Sequence, residues 1–129
     1  MTPDPRTVLY IDDNPLSIMV AQRIFSRRPE LALVVATQGA HGLELAREHL
    51  PALVVLDLNL PDIPGEDILA QLRGDVRTAT TPVVIASGGA TPGQMARLRE
   101  AGADAYLPKP FEVGELLALV DRFTAGERA

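Results

Sequence analysis

Acidic side chains come directly after two apolar, strand-like runs of the sequence, and a lysine follows another. Asp12 and Asp13 follow the first run, Asp57 follows the third and Lys109 follows the fifth. Carboxylates that meet in a small site repel one another unless a cation lies between them, and hard oxygen ligands without His or Cys favour Mg²⁺. Because Mg²⁺ sites commonly combine one or two carboxylates with a phosphate, these residues predict phosphoryl chemistry. A carboxylate such as Asp57 can be the nucleophile.

A hydroxyl and two glycines follow a further apolar run. Ser87 comes after residues 82–86, and Gly88 and Gly89 come next. Small residues let backbone amides approach a ligand closely, and amides, a hydroxyl and the Lys109 ammonium can together offset the charge of a phosphoryl group. Each residue alone has an ordinary explanation, since Asp is common at turns. The prediction depends on their coincidence, because four of the five predicted strand ends carry such groups.

Apolar runs that alternate with segments of helical spacing must position these residues. Five strands and five helices in alternation predict an α/β domain with one doubly wound parallel sheet covered on both faces. Right-handed crossovers bring the carboxyl ends of all strands to one edge, where ligands bind. The predicted strands are 7–11, 31–36, 53–57, 82–86 and, at a sheet edge, 103–107, and the predicted helices are 16–28, 38–50, a segment after residue 65, 91–102 and 113–123.

Composition and charge exclude several classes of protein. The 129 residues are 47% hydrophobic and 22% charged, without cysteine, which indicates one globular domain without disulfides or thiolate metal sites and suits a reducing cytoplasm. No apolar run approaches the roughly 20 residues that span a bilayer, and the N-terminus lacks the apolar region of a signal peptide. Membrane insertion and export are therefore not expected.

Ligand classes are restricted in the same way. The net charge is −5 without a cluster of Lys or Arg, which disfavours direct binding of nucleic acid. The motifs G-x-x-x-x-G-K-[ST] and G-x-G-x-x-G are absent, so ATP and NAD are not the expected ligands. His41 and His49 have neither a cysteine nor a histidine partner four residues on, and we expect both to be solvated surface residues.

The joint spacing of the site residues resembles that of a known family. The residues that match the receiver domain of two-component response regulators are Asp12-Asp13, Asp57, Ser87, Tyr106 and Lys109-Pro110. The resemblance covers about residues 7–123 and implies that residues 1–129 form one receiver domain. It implies a flavodoxin-like, CheY-like (βα)5 fold with strand order 2-1-3-4-5, an order that pattern reading alone does not supply. It also implies a cytoplasmic location and a role in bacterial phosphorelay signal transduction.

For the acidic residues the resemblance implies a phosphoacceptor and a Mg²⁺ site. Asp57 would accept a phosphoryl group from a phosphohistidine on a sensor histidine kinase or a histidine phosphotransfer protein. Asp13, Asp57 and the backbone carbonyl of Asn59 would ligate Mg²⁺, and Asp12 would act mainly through metal-bound water. The chain would be a signalling phosphoacceptor rather than an enzyme, although it takes part in phosphotransfer and in its own dephosphorylation.

For the later strands the resemblance implies phosphoryl contacts and a switch. Ser87, Gly88 and Lys109 would contact the phosphoryl oxygens. Tyr106 would move inward when Ser87 turns to the phosphoryl group, which reshapes the surface of the fourth helix, fifth strand and fifth helix; a homodimer through this surface is a further expectation. The plainer alternative for Tyr106 is an amphipathic tyrosine on an edge strand. The Lys109-Pro110 bond is expected to be cis, because the cis form costs little at proline.

Two rival classes share part of the pattern. A phosphatase of the haloacid dehalogenase type also uses an aspartate nucleophile with Mg²⁺, but it needs a second aspartate where this chain has Asn59. The other rival is a receiver-like interaction module that takes no phosphoryl group, and the presence of all the expected acids and of Lys109 argues against it. The chain is expected to be either a single-domain receiver or one cut from a larger protein such as a hybrid histidine kinase.

Overall fold

Strands and helices alternate five times along the chain, as the sequence predicts. The structure is a computed structural model, and it describes residues 4–125. The strands are β1 (Asp4–Ile11), β2 (Ala32–Ala36), β3 (Pro51–Leu56), β4 (Val83–Ser87) and β5 (Ala105–Pro108). The helices are α1 (Pro15–Phe25), α2 (Gly39–His49), α3 (Gly65–Gly74), α4 (Pro92–Glu100) and α5 (Val113–Ala125). Within residues 4–125 we find no helix with the length and apolar character that a membrane span requires.

One parallel sheet carries all five strands in the order β2-β1-β3-β4-β5. This is the order that the family resemblance implies, and it places β5 at a sheet edge, as predicted. The central strands β1 and β3 pair so that Ile11 lies opposite Leu56. The carboxyl ends of these strands therefore lie side by side.

Two apolar layers cover the faces of the sheet, because successive strand residues point to opposite sides. Leu9 and Ile11 pack in a layer with residues of α2, α3 and α4. Val8 and Tyr10 pack in the other layer with residues of α1 and α5. All six residues of β3 are buried, as expected for a strand that is covered on both faces.

Three expectations from the sequence need correction. Helix α1 ends at Phe25 rather than at residue 28, because the next residues form tighter turns with bonds to carbonyls three residues back, and the residue before Pro29 disfavours helical geometry. Strand β1 begins at Asp4, three residues early, with an irregular register between Asp4 and Val8. His41 is exposed as predicted, whereas His49 is half-buried.

Candidate functional site

The ends of β1 and β3 bring three carboxylates together. Asp57 N–H donates to the Ile11 carbonyl at 2.9 Å, which sets Asp12 beside Asp57 at the carboxyl edge of the sheet. One oxygen each of Asp12, Asp13 and Asp57 lie within 4.8 Å of one another. Asp12 and Asp57 are buried, with 1% and 8% of their surfaces exposed, and Asp13 is exposed.

Backbone N–H groups hold one oxygen of each buried carboxylate. Asn14 N–H donates to Asp12 Oδ1 at 2.9 Å, and Asn59 N–H donates to Asp57 Oδ1 at 3.2 Å. Both bonds join a carboxylate to the residue two positions later, the pattern of an Asx turn. These turns fix the direction of the carboxylates, and the Oδ2 atoms of both face Lys109.

Lys109 reaches the acids from the loop after β5. Its Nζ lies 2.5 Å from Asp12 Oδ2, 3.4 Å from Asp57 Oδ2 and 3.4 Å from Ser17 Oγ in the first turn of α1. The Lys109-Pro110 peptide bond is cis, which confirms the prediction. The distances show that the ammonium is paired more closely with Asp12 than with Asp57. The sequence indicated neither that preference nor the contact with Ser17.

Burial dominates the electrostatics of Asp57. It raises the pKa of the Asp57 carboxyl above the ordinary value, because the charged form loses solvation. The hydrogen bond from Asn59 N–H and the charge of Lys109 oppose the rise, while the charge of Asp12 adds to it. The site thus retains an excess of negative charge that one lysine does not offset.

The donor set fits a hard divalent cation. The cluster of Asp12, Asp13 and Asp57 offers only carboxylate oxygens, which suit Mg²⁺ better than the softer transition metals. A cation between these groups would relieve their mutual repulsion and the excess negative charge at Asp57. Asn59, which the resemblance adds to the ligand set, is exposed and bonded through its N–H to Asp57.

The end of β4 places Ser87 near the same edge of the sheet. Ser87 is 2% exposed, and its carbonyl accepts hydrogen bonds from the Tyr106 hydroxyl at 2.7 Å and from Lys109 N–H at 3.1 Å. Gly88 lies against the Lys109 carbonyl, which an added side-chain carbon would meet at 3.4 Å. Gly89 has a φ of +84°, where glycine is favoured. One backbone carbonyl therefore links the half-buried Tyr106 to the lysine.

The loop between β3 and α3 is closed by contacts that the sequence did not indicate. Gly65 N–H donates to the Leu58 carbonyl at 3.0 Å. A side chain on Gly65 would meet Leu58 Cα at 2.6 Å and the Asp57 carbonyl at 2.8 Å. Asp62 accepts bonds of 2.7 and 3.0 Å from the first two N–H groups of α2. These contacts hold the backbone that follows Asp57.

Tyr10 is a neighbour of the site that sequence reasoning missed. It lies two residues before Asp12 on β1, so both side chains are on one face of the sheet, and it is 1% exposed. Burial raises the pKa of Tyr10 far above its ordinary value, and the charge of Asp12, a hydrogen bond with Asp12 and the charge of Asp57 add to the rise. Side chains alternate between the two faces of a strand, so counting back two residues from Asp12 could have identified Tyr10 from the sequence.

An apolar strip on α1 borders the site. Leu16, Met19 and Val20 have 67%, 56% and 37% of their surfaces exposed. Leu16 and Val20 line an open groove together with Lys109 and Phe111. The lysine therefore lies beside exposed apolar side chains, which are a common feature of interaction surfaces.

The sheet order and the acidic carboxyl edge define a CheY-like α/β domain, and solved structures agree. A CheY-like response regulator receiver domain from Methanospirillum hungatei has a TM-score of 0.86 at 21% identity, over 95% of this chain and 96% of that chain. The receiver domain of the Francisella response regulator 1452 has a TM-score of 0.80 at 28% identity, over 95% and 98%. The receiver domain of a Pseudomonas aeruginosa sensor histidine kinase, solved with a magnesium ion in its active site cleft, has a TM-score of 0.83 at 22% identity, over 93% and 98%.

The chain belongs to the response regulator receiver domain family, whose model matches residues 8–121. The transcriptional regulatory protein KdpE of Mycobacterium tuberculosis is 41% identical over 111 residues, which are 86% of this chain and 47% of KdpE. The polar-differentiation response regulator DivK of Brucella anthropi is 27% identical over 119 residues, which are 92% of this chain and 96% of DivK. The chain thus spans about half of KdpE and nearly all of DivK. The predicted family, with its phosphoacceptor role in two-component signalling, is confirmed.

Proposed function

We propose that Asp57 is the residue that accepts the phosphoryl group. The observation that carries this assignment is the position of its carboxylate at the end of β3, beside Asp12 and Asp13 and 3.4 Å from Lys109. Asp12 Oδ2 is held by Lys109 at 2.5 Å, whereas the contact with Asp57 Oδ2 is longer. Asp57 is therefore the freer nucleophile of the two buried acids.

The proposed donor is a phosphohistidine on a sensor histidine kinase or a histidine phosphotransfer protein. Asp57 Oδ2 attacks the phosphorus, the P–N bond to the imidazole breaks, and the nitrogen keeps the electron pair of that bond. Lys109, the Ser87 hydroxyl and Gly88 N–H contact the phosphoryl oxygens and offset their charge. Attack by water on the phosphorus later breaks its bond to Asp57 Oδ2, returns the electron pair to the carboxylate and releases inorganic phosphate. The chain thus acts as a signalling phosphoacceptor rather than as an enzyme with a separate substrate.

The proposed cofactor is Mg²⁺, held by Asp13, Asp57 and the carbonyl of Asn59, with Asp12 acting through the water shell of the ion. When bound, the ion supplies positive charge that stabilises the transferring phosphoryl group. The three carboxylates that converge within 4.8 Å support this set. The exposure of Asp13 leaves it accessible from solvent, which suits a site that exchanges its ion freely.

The apolar strip on α1 is the proposed docking surface for the partner that carries the phosphohistidine. The partner must bring an imidazole to Asp57, and the groove of Leu16, Val20 and Phe111 lies directly beside Lys109.

We place this exchange in the cytoplasm and treat residues 1–129 as one receiver domain, whether it stands alone or belongs to a larger protein. The family match over residues 8–121 supports the proposal of one receiver domain.

The proposed output surface consists of α4, β5 and α5, with Ser87 and Tyr106 as the switch. The hydrogen bond of 2.7 Å from the Tyr106 hydroxyl to the Ser87 carbonyl supports a direct link between the two residues. A change at Ser87 then alters the position of Tyr106 and the surface around it. A homodimer through the same surface is one form that the output can take.

Labelling with acetyl phosphate and Mg²⁺ tests the proposed acceptor. Intact-mass measurement should show one added phosphoryl group on the wild type and none on Asp57→Ala. Asp67→Ala removes an exposed carboxylate from the first turn of α3 and should label as the wild type does. Labelling that persists in Asp57→Ala would contradict the choice of residue. A wild type that stays unlabelled would favour the interaction module that takes no phosphoryl group.

A further inference from the structure

The exposed face of α1 changes from apolar to cationic along the helix. Leu16 and Val20 are exposed in its first half, and Arg23 is exposed in its last turn. The spacing i, i+4 and i+7 of these three residues puts them on one face of a helix. Arg27 is also exposed and follows in the tight turn after the helix. The apolar strip therefore leads into two guanidinium groups.

These two arginines have no ionic partner. Acidic residues of the same chain pair with other arginines, namely Arg28, Arg47, Arg73, Arg77 and Arg97. Within residues 4–125, neither Arg23 nor Arg27 forms an ion pair. Arg28, next to Arg27, is held by Asp121 of α5 at 2.7 Å. The charges of Arg23 and Arg27 are thus available to a partner.

The sequence of α1 makes this surface cationic in an acidic protein. Residues 14–29 contain three arginines and neither Asp nor Glu, although the net charge of the chain is −5. A guanidinium group binds carboxylates with two parallel hydrogen bonds and is weakly hydrated, so it suits an interface ion pair better than an ammonium does. An acidic surface on a partner therefore complements this end of α1.

We propose that the partner that carries the phosphohistidine binds α1 with an acidic segment as well as an apolar one. Its apolar side chains pack on the apolar strip beside Lys109, and its carboxylates pair with Arg23 and Arg27. Arg23 follows Leu16 by seven residues, which is about 10 Å along the helix. The ion pairs lie away from the reacting atoms, so they select the partner and its direction on α1 without taking part in the transfer. This inference rests on the proposed docking surface on α1.

Reversal of the charge of Arg23 tests the acidic contact. Two donors are compared: a purified histidine kinase that autophosphorylates with ATP and labels the wild type, and acetyl phosphate with Mg²⁺, which needs no docking. For transfer from the kinase, Arg23→Glu should lower kcat/KM by about fivefold through KM, with kcat unchanged, because only docking is weakened. The double variant Arg23→Glu/Arg27→Glu should lower it by about tenfold or more. Labelling by acetyl phosphate should stay at the wild-type rate.

Salt and two further variants separate charge from shape. The difference between the wild type and Arg23→Glu should shrink as NaCl is raised from about 0.1 M to about 1 M, because the Debye length falls from about 10 Å to about 3 Å. Arg23→Lys keeps the charge and should transfer nearly as the wild type does. Arg27→Glu repeats the test beyond the helix end, since an acid in the last turn is disfavoured by the helix dipole.

The matched control is Arg99→Glu, which makes the same change of charge on α4. Arg99 is exposed and likewise forms no ion pair within residues 4–125, and its reversal should leave transfer from the kinase unchanged.

Several results would overturn the acidic contact. Transfer to Arg23→Glu at the wild-type rate would do so, and so would a slowing that Arg99→Glu or Arg23→Lys reproduces. Slowing by Met19→Asp with none by Arg23→Glu would leave an apolar docking surface without the acidic contact. A wild type that neither donor labels at Asp57 would instead overturn the acceptor role on which the docking surface depends.

Discussion

Burial and charge act against one another at Asp57. Burial raises the pKa of its carboxyl, although Asn59 N–H and Lys109 favour the charged form. A carboxylate must be ionised to attack phosphorus, so at neutral pH the folded protein holds this charge where solvation is poor. A reactive residue of this kind lowers the stability of the fold that carries it.

Replacing the Asp57 carboxylate with an amide should therefore make the protein more stable at neutral pH. The raised pKa means that the folded state binds more protons than the unfolded state between the ordinary value of 3.8 and the folded value. The free energy of unfolding consequently falls as pH rises through that window. Asp57→Asn cannot ionise and keeps an acceptor for Asn59 N–H. The melting temperature of Asp57→Asn should be higher than that of the wild type at neutral pH, and the difference should disappear below pH 3.8.

Asp121 supplies the opposite case in the same molecule. The hydrogen bonds from Arg28, at 2.9 and 2.7 Å, lower the pKa of Asp121. Its contribution to stability is present above the ordinary pKa and is lost as pH falls through the folded one. Asp121→Asn should thus be less stable than the wild type at neutral pH. If Asp57→Asn showed the same sign as Asp121→Asn, the electrostatic account of Asp57 would fail.

The sequence identified the acids and the lysine but not how they share contacts. Residue type and position after a strand were enough to single out Asp12, Asp57 and Lys109. The distances of 2.5 and 3.4 Å from the ammonium depend on side-chain conformations and on loops from distant parts of the chain, which no local pattern encodes. Tyr10 was missed because a tyrosine inside an apolar run has the same pattern as any core residue.

At the scale of elements, the loop between β3 and α3 sets the position of Asp57. The chain leaves β3, turns, and returns so closely that a side-chain carbon on Gly65 would collide with the backbone of Leu58 and Asp57. Asp62 ties the same loop to the start of α2. The nucleophile is therefore held by a loop that is fixed at two points.

Gly65→Ala should destabilise the protein by about 1–3 kcal/mol, the usual cost of overpacking. The added carbon would lie 2.6 Å from Leu58 Cα and 2.8 Å from the Asp57 carbonyl, and backbone atoms cannot rotate away. Gly74→Ala, at the other end of α3, meets no atom within 4 Å and should be neutral or stabilising, since Ala favours helix. Urea unfolding of the two variants gives the comparison, and equal stabilities would contradict the packing argument.

Element types could be predicted from periodicity, but their ends could not. The predicted end of α1 at residue 28 depended on Pro29, whereas the helix stops at Phe25 because the backbone tightens ahead of that proline. The start of α4 was predictable, since Thr91 accepts the Gln94 N–H as a cap. Caps are local and can be read from sequence, whereas the irregular start of β1 depends on pairing with Pro51.

At the scale of the whole molecule, the strand order gathers residues that are distant in sequence. Asp12, Ser17 and Lys109 meet although 92 or more positions separate the lysine from the other two. Periodicity cannot supply this order, because any parallel sheet has the same alternation of strands and helices. The order came from the family resemblance, and the structure shows it.

The apolar strip on α1 should be needed for transfer from a protein donor but not from a small one. Met19→Asp puts a carboxylate on a side chain that is 56% exposed, and it should slow transfer from an autophosphorylated histidine kinase by about tenfold or more. Labelling by acetyl phosphate should stay at the wild-type rate. Val76→Asp changes an exposed apolar position outside the strip, with 92% of its surface exposed, and should affect neither reaction. Equal slowing by both substitutions would indicate a nonspecific effect of charge.

Phosphorylation should reach the α4–β5–α5 surface through Ser87. The Ser87 carbonyl accepts from both Tyr106 and Lys109, so a shift of the lysine or of Ser87 towards the phosphoryl group disturbs the acceptor of the tyrosine. The Tyr106 ring borders a cavity of about 50 Å³ lined also by Met95 and Leu98, which leaves room for a second packing. Ser87→Ala should still bind beryllofluoride with Mg²⁺, but its amide shift changes over residues 95–120 should be smaller than those of the wild type. Equal amide shift changes in the two proteins would exclude Ser87 as the route, because the ligand would then act on the distant surface without the Ser87 hydroxyl.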